Sequence, residues 1–193
     1  MRIGIDFDNT LVNYDGVFYR SARQLGWIAE QSGQSKEDVK QFFIRQDQEL
    51  RWTELQGIVY GRDIQFATAY AGVNDTLEQW LAEGATLFVV SHKTRYPIIG
   101  DKLDFHLAAS QWLQQQDLTR YFEQVYFCPQ KETKVKQIAE LALDVFIDDL
   151  PSILLDPNFP PHTQGILFAP GQAAHSALRT VASWQELQQS IAV

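Results

Sequence analysis

Cysteine is almost absent from the 193-residue chain, and its scarcity removes several chemistries. A lone Cys128 can neither close an intramolecular disulfide nor anchor a multi-cysteine zinc or iron–sulfur site. Cationic side chains are in deficit as well: 16 Lys and Arg face 24 Asp and Glu, a formal net charge of −8. Such a surface repels a phosphate backbone, so neither nucleic acid nor an anionic membrane is an expected partner, although a local basic pocket is still allowed. No stretch approaches the roughly 18 uncharged apolar residues of a membrane-spanning helix. Asp6 and Asp8 fall where an export signal needs an apolar run, so a cytoplasmic location is expected. Internal repeats, low-complexity tracts and Gly/Ser-rich linkers are all missing.

What is present points to a packed globule. Hydrophobic residues make up 45% of the chain and aromatic residues 12%, too many for a disordered polymer. At this length folding buries about 70% of the surface that the unfolded chain exposes, and one domain, or one with a modest insertion, is expected. Short apolar runs at 3–5, 85–90, 125–127, 145–147 and 165–168 are rich in β-branched and aromatic residues. They read as strands buried on both faces of a parallel sheet. Amphipathic segments at 74–83, 103–115 and 133–141 lie between them. This alternation predicts an α/β fold, a Rossmann-like parallel sheet flanked by helices and joined by right-handed crossovers.

The alternation breaks between Tyr14 and Gly72, where no strand is evident. Helical periodicity covers 18–31 and 36–48, with Ser35 placed to cap the second, and a third helix is expected over 62–70. About sixty helical residues exceed an ordinary crossover and predict an inserted α-helical cap. The expected division is a core of 1–13 and 73–193 and a cap of 14–72. Residues 156–161 read as a loop, followed by a short strand and a last helix near 184–191.

In parallel α/β sheets ligands bind beyond the carboxyl ends of the strands, and polar residues gather there in this sequence. The first strand runs into Asp6-Phe7-Asp8-Asn9-Thr10. Two carboxylates two residues apart suit a metal or acid–base site, but also a solvated turn or the metal-holding Asp-x-Asp of glycosyltransferases. The second strand stops at Ser91-His92-Lys93-Thr94, an anion-binding composition that also fits a capping Ser at a turn. The fourth ends in Asp148-Asp149-Leu150-Pro151. Adjacent acids after a buried run repel each other, and a divalent cation would remove that cost; acids before a Pro-initiated helix are the competing explanation. Lys131 and Lys134 lie at the start of the preceding helix.

Taken in order, these features are Asp-x-Asp-x-Thr, a strand-terminal Ser, a Lys and Asp-Asp on one sheet edge. The chain thereby resembles the haloacid dehalogenase-like (HAD) hydrolase superfamily. Asp6-Phe7-Asp8-Asn9-Thr10 matches its first motif, Val89-Val90-Ser91 the second, a lysine the third, and Phe146-Ile147-Asp148-Asp149 the fourth. The likeness spans about residues 1–155, and the helical insertion is similar to that superfamily's first-position cap.

The resemblance implies a magnesium-dependent phosphatase acting on a small phosphorylated metabolite such as a nucleotide or sugar phosphate. Asp6 would be the nucleophile that forms an aspartyl-phosphate, and Asp8 the general acid–base. A leaving halide needs no such acid, so Asp8 argues against dehalogenation. Magnesium would be held by Asp6, the backbone carbonyl of Asp8, and Asp148, with Asp149 as a second ligand or a holder of metal-bound water. Ser91 and a lysine would stabilise the transferring phosphoryl group. Lys134, 14 positions before Asp148, is preferred for that role, with Lys131 the alternative. Thr10, His92 and Lys93 complete the candidate substrate-binding set of the core. In the cap, 51–62 reads as a substrate-facing loop in which Trp52 or Tyr60 stacks a ring and Arg51 or Arg62 pairs an anion, or else as cap core with Trp52 buried. Cys128 and His106 read as structural. The rival functions are a phosphotransferase or phosphomutase of the same superfamily, a phosphorylation-receiving switch, and a non-catalytic regulator that binds magnesium and a phosphorylated ligand.

Overall fold

Every apolar run picked out above is a strand of one all-parallel sheet in the computed structural model, which describes residues 1–29 and 33–193. The chain begins β1 (Arg2–Ile5), β2 (Val12–Asn13), α1 (Val17–Gln24), α2 (Lys36–Arg45), α3 (Glu49–Tyr60) and β3 (Thr68–Ala69). It continues α4 (Val73–Ala82), β4 (Thr86–His92), α5 (Phe105–Gln115), β5 (Phe122–Cys128), α6 (Lys131–Glu140) and β6 (Val145–Asp148). The last elements are α7 (Pro151–Leu154), β7 (Gln164–Phe168), β8 (Arg179–Val181) and α8 (Trp184–Ser190). No helix among the described residues is long and apolar enough to cross a membrane.

The sheet order is β5-β4-β1-β6-β7-β8. Ile5 lies level with Val89 on one side and Ile147 on the other, so the ends of β1, β4 and β6 meet at one rim. The chain moves outward from β1 through β4 to β5 and then returns to β6 on the opposite flank. That reversal is the topological switch point at which such sheets bind ligands. One face of the sheet packs Phe88, Val90 and Phe146 against Val135 and Ile138 of α6. Gly4 makes this face possible, since a Cβ there would lie 2.3 Å from Leu143 and 2.7 Å from Phe146. Trp184 of α8 contacts Trp80 of α4 at 6.0 Å between ring centroids and Phe168 at 6.3 Å, and its indole N–H donates to the Thr10 carbonyl at 3.0 Å.

The chain forms two compact units, 1–12 with 69–93 and 117–193, and 13–68 with 94–116. The sequence reading assigns 94–116 to the core, but here they join the helical insertion. Asp104 caps α5 by accepting from the His106 and Leu107 amides, and Trp112 of α5 donates its indole N–H to the Ala67 carbonyl at 3.0 Å.

Three other expectations for the insertion need correction. The third helix is not at 62–70; it is α3, followed by a 3-10 turn over Asp63–Phe66 and by β3. The supposed loop at 51–62 is therefore largely helix. Its apolar residues keep to no single stripe, with Leu50 72% exposed while Trp52, Leu55 and Val59 are buried, and Gly57 lowers its helix propensity. The first helix stops at Gln24 because Gly26, at φ 70°, closes it: its amide donates to Arg23 and that of Trp27 to Ala22. The remainder of the expected span reaches into 30–32, outside the described residues. Ser35 does cap α2, reciprocally with Asp38. In the sheet, β4 extends through Ser91 and His92, β5 begins at Phe122, and β8 was not foreseen.

Candidate active site

Asp6 continues the pairing of β1 by one residue, its amide donating to the Ile147 carbonyl at 2.9 Å. The chain then turns tightly, with the Leu11 and Val12 amides both donating to the Phe7 carbonyl and Asn9 at φ 59°. Asp6 and Thr10 are thereby buried, while Asp8 is partly exposed at the rim.

Lys134 enters from the first turns of α6, whose N-terminus is closed by a reciprocal Gln130–Thr133 cap. Its Nζ lies 2.6 Å from Asp6 Oδ1 and 2.6 Å from Asp148 Oδ2, and all three side chains are buried. Lys131, by contrast, is exposed and donates to Ser152 Oγ at 3.2 Å. Of the two candidate lysines, Lys134 is the one beside the aspartates.

One ammonium between two carboxylates leaves a buried excess of negative charge. Burial is the largest influence on Asp6 and lifts its carboxyl from the ordinary 3.8 to about 7; Lys134 opposes this, and Asp148 and Asp8 add to it. Burial alone would lower the Lys134 ammonium, but Asp6 and Asp148 outweigh it and hold it above the ordinary lysine value.

Asp6, Asp148 and Asp149 each offer one carboxylate oxygen, and these oxygens lie within 4.8 Å of one another. An all-oxygen, net-negative donor set fits a hard divalent cation. The Asp8 carboxylate is not part of this cluster; its Oδ2 pairs with Lys93 Nζ at 2.6 Å. Lys93 is held at the rim by its amide, which donates to the Cys128 carbonyl at 2.8 Å, and its ammonium lies 5.3 Å from the Phe7 ring centroid. Lys93, expected from the sequence to bind substrate, here pairs with Asp8, 85 positions away.

Ser91 Oγ and Thr10 Oγ1 are buried and have no hydrogen-bond partner among the described residues. Leaving a buried hydroxyl unsatisfied costs about 1–3 kcal/mol, so such groups call for a polar ligand or water. His92 is half-buried; burial lowers its imidazole, a hydrogen bond with the Pro129 backbone opposes this, and Lys134 and Lys131 push it further down. The Cys128 thiol is raised by burial, which suits a structural residue and not a nucleophile.

Trp52 and Tyr60 belong to an aromatic core within the second unit. Trp52 stacks on Phe18 at 5.1 Å, and Tyr60 meets Tyr14, Phe18 and Phe105 edge-on while its hydroxyl accepts from Lys36. The buried alternative is thus the observed state of Trp52. Arg62 is engaged by the buried Asp63 through two hydrogen bonds, and the Arg51 guanidinium lies over the Trp27 ring. A contact the sequence did not reveal is Asn9 Nδ2 donating to Asp149 Oδ2 at 3.1 Å. The only hint was an Asn where the turn requires a positive φ.

No protein-family model and no curated protein matches the chain. Solved structures do. The HAD-hydrolase YfnB from Bacillus subtilis, solved bound to magnesium, is 12% identical with a TM-score of 0.64, covering 97% of this chain and 96% of that one. A haloacid dehalogenase-like hydrolase from Streptococcus pneumoniae is 16% identical, with a TM-score of 0.62 and the same coverage of each chain. A HAD phosphatase from Thermococcus onnurineus is 15% identical at a TM-score of 0.54, again covering 97% and 96%. Likeness at these identities is likeness of architecture: the chain has the fold of the HAD-superfamily hydrolases.

Proposed function

We propose that the protein is a magnesium-dependent phosphohydrolase that works through an aspartyl-phosphate on a small phosphorylated metabolite, in the range of nucleotide and sugar phosphates. The observation that carries this reading is the Lys134 ammonium 2.6 Å from both Asp6 and Asp148, with Asp149 completing a three-carboxylate cluster. The solved HAD hydrolases and phosphatases of the same fold, one of them bound to magnesium, support it.

Magnesium on Asp6, the Asp8 carbonyl, Asp148 and Asp149 would supply charge neutralisation for a dianionic phosphate and keep Asp6 ionised. Asp6 attacks phosphorus while the ester P–O bond breaks, and Asp8 gives its proton to the departing oxygen. Asp8, now a carboxylate stabilised by Lys93, takes a proton from water; the water oxygen bonds to phosphorus and the bond to Asp6 breaks, releasing phosphate and restoring protonated Asp8. Ser91 and Lys134 donate to the nonbridging oxygens, and the Thr10 hydroxyl and His92 complete the anion's surroundings. The helical segment 14–72 is proposed as the cap that selects the substrate, and the protein as a cytoplasmic enzyme with no nucleic-acid or membrane partner.

The test is to trap the intermediate. Acid quenching during turnover, followed by peptide mass spectrometry, should find a phosphoryl adduct on the peptide bearing Asp6, and none in Asp6→Asn. Steady turnover with the adduct on another residue would overturn the assignment.

A further inference from the structure

We infer that Asn9 is a positioning residue for the metal-binding carboxylates, holding Asp149 where a cation can use it. This rests on the reading of Asp6, Asp148 and Asp149 as a magnesium site.

Asp149 directly follows the last residue of β6. Successive residues of an extended strand point to opposite faces, so Asp148 and Asp149 would ordinarily diverge. They share one side because the chain turns there: the Leu150 amide donates to Asp148 Oδ1 at 2.9 Å, and α7 begins at Pro151. A third carboxylate brought against two others is repelled by them and needs a donor. Lys134 serves Asp6 and Asp148. Asn9 Nδ2 donates to Asp149 Oδ2 at 3.1 Å, a direction fixed by chemistry because a carboxylate only accepts.

Asn9 also answers a backbone demand. Its φ of 59° lies in the left-handed region, which glycine enters freely and asparagine tolerates better than most other residues. Glycine would satisfy the turn alone. Asparagine satisfies the turn and adds an uncharged donor, 140 residues away in sequence from the carboxylate it anchors. Aspartate would add another negative charge. The amide thus spares the metal-free protein part of the cost of arranging three acids, and presets their oxygens within 4.8 Å.

The experiment is calorimetric titration of the metal-free full-length chain with magnesium chloride alone, comparing wild type, Asn9→Gly, Asn9→Ser and Asp148→Asn. Outer-shell partners of metal ligands typically contribute 10–100-fold in affinity, so the Kd for magnesium should rise about tenfold in Asn9→Gly and in Asn9→Ser. Circular dichroism should stay near wild type in Asn9→Gly, since glycine accepts the φ. A role confined to the turn predicts wild-type affinity in Asn9→Gly, and that result overturns the inference. Should one variant fail to fold, the other decides. Magnesium uptake by wild type that is lost in Asp148→Asn but kept in both Asn9 variants sinks the Asn9 role alone. No uptake by wild type sinks the metal site, and this inference with it.

Discussion

Lys134 Nζ lies 2.6 Å from Asp6 Oδ1, both buried, and the same ammonium lies 2.6 Å from Asp148 Oδ2. Removing one partner from a buried ionic group costs about 3–5 kcal/mol because the remaining charge stays uncompensated. Lys134→Met should therefore destabilise the metal-free protein by roughly that amount in urea titrations at neutral pH. Its turnover should fall by about 10²–10³-fold, the usual loss for one transition-state donor. Lys131→Met, altering only an exposed contact to Ser152, should leave both unchanged.

The Lys93–Asp8 pair gives a second prediction. If Lys93 acts through Asp8, Lys93→Met lowers kcat with little change in KM, and Lys93→Met combined with Asp8→Asn is no slower than Asp8→Asn alone. A direct substrate ligand would instead raise KM, and the two losses would add. Steady-state kinetics on the four proteins of this cycle separates the cases.

In the second unit, buried Asp63 accepts from Ser21 Oγ at 2.7 Å and from Arg62 at 2.7 and 3.0 Å. Burial pushes its carboxyl up, but the Arg62 and Ser21 hydrogen bonds outweigh it and hold it below the ordinary 3.8. A carboxyl depressed on folding stabilises above its unfolded value and loses that contribution as pH falls through the folded value. Thermal midpoints of wild type and Asp63→Asn should thus differ most near neutrality and draw together as the pH falls through the folded value.

Trp52 provides a contrast between core and ligand contact. Trp52→Ala should cost about 3–5 kcal/mol as a large-to-small core change, whereas Trp52→Phe, which keeps a ring beside Phe18, should lose less and leave KM unchanged. Equilibrium denaturation and substrate titration of both variants check this.

Much of this was legible from residue order. The strand leading into Asp6, the strand ending in Asp148 and the one carrying Ser91 are apolar runs with few alternatives, and chemistry-bearing residues at their ends follow from sheet topology. Ser35 announced its helix through capping chemistry. Helix α3 was hidden because its apolar residues ring the axis, and Leu50 is exposed where the pattern suggests burial. The three-residue β8 is too short to carry a pattern. The partners of Lys93 and Asn9 were illegible for another reason. Asp8 is 85 positions from Lys93 and Asp149 is 140 from Asn9, so only the meeting of β1, β4 and β6 brings them together.

The most direct measurement is phosphate release over a panel of metabolite phosphates, with and without magnesium, by wild type and Asp6→Asn in parallel. The account predicts release that requires magnesium and is absent from a folded Asp6→Asn protein. Release that persists in Asp6→Asn, or that proceeds equally well in chelator, would contradict it.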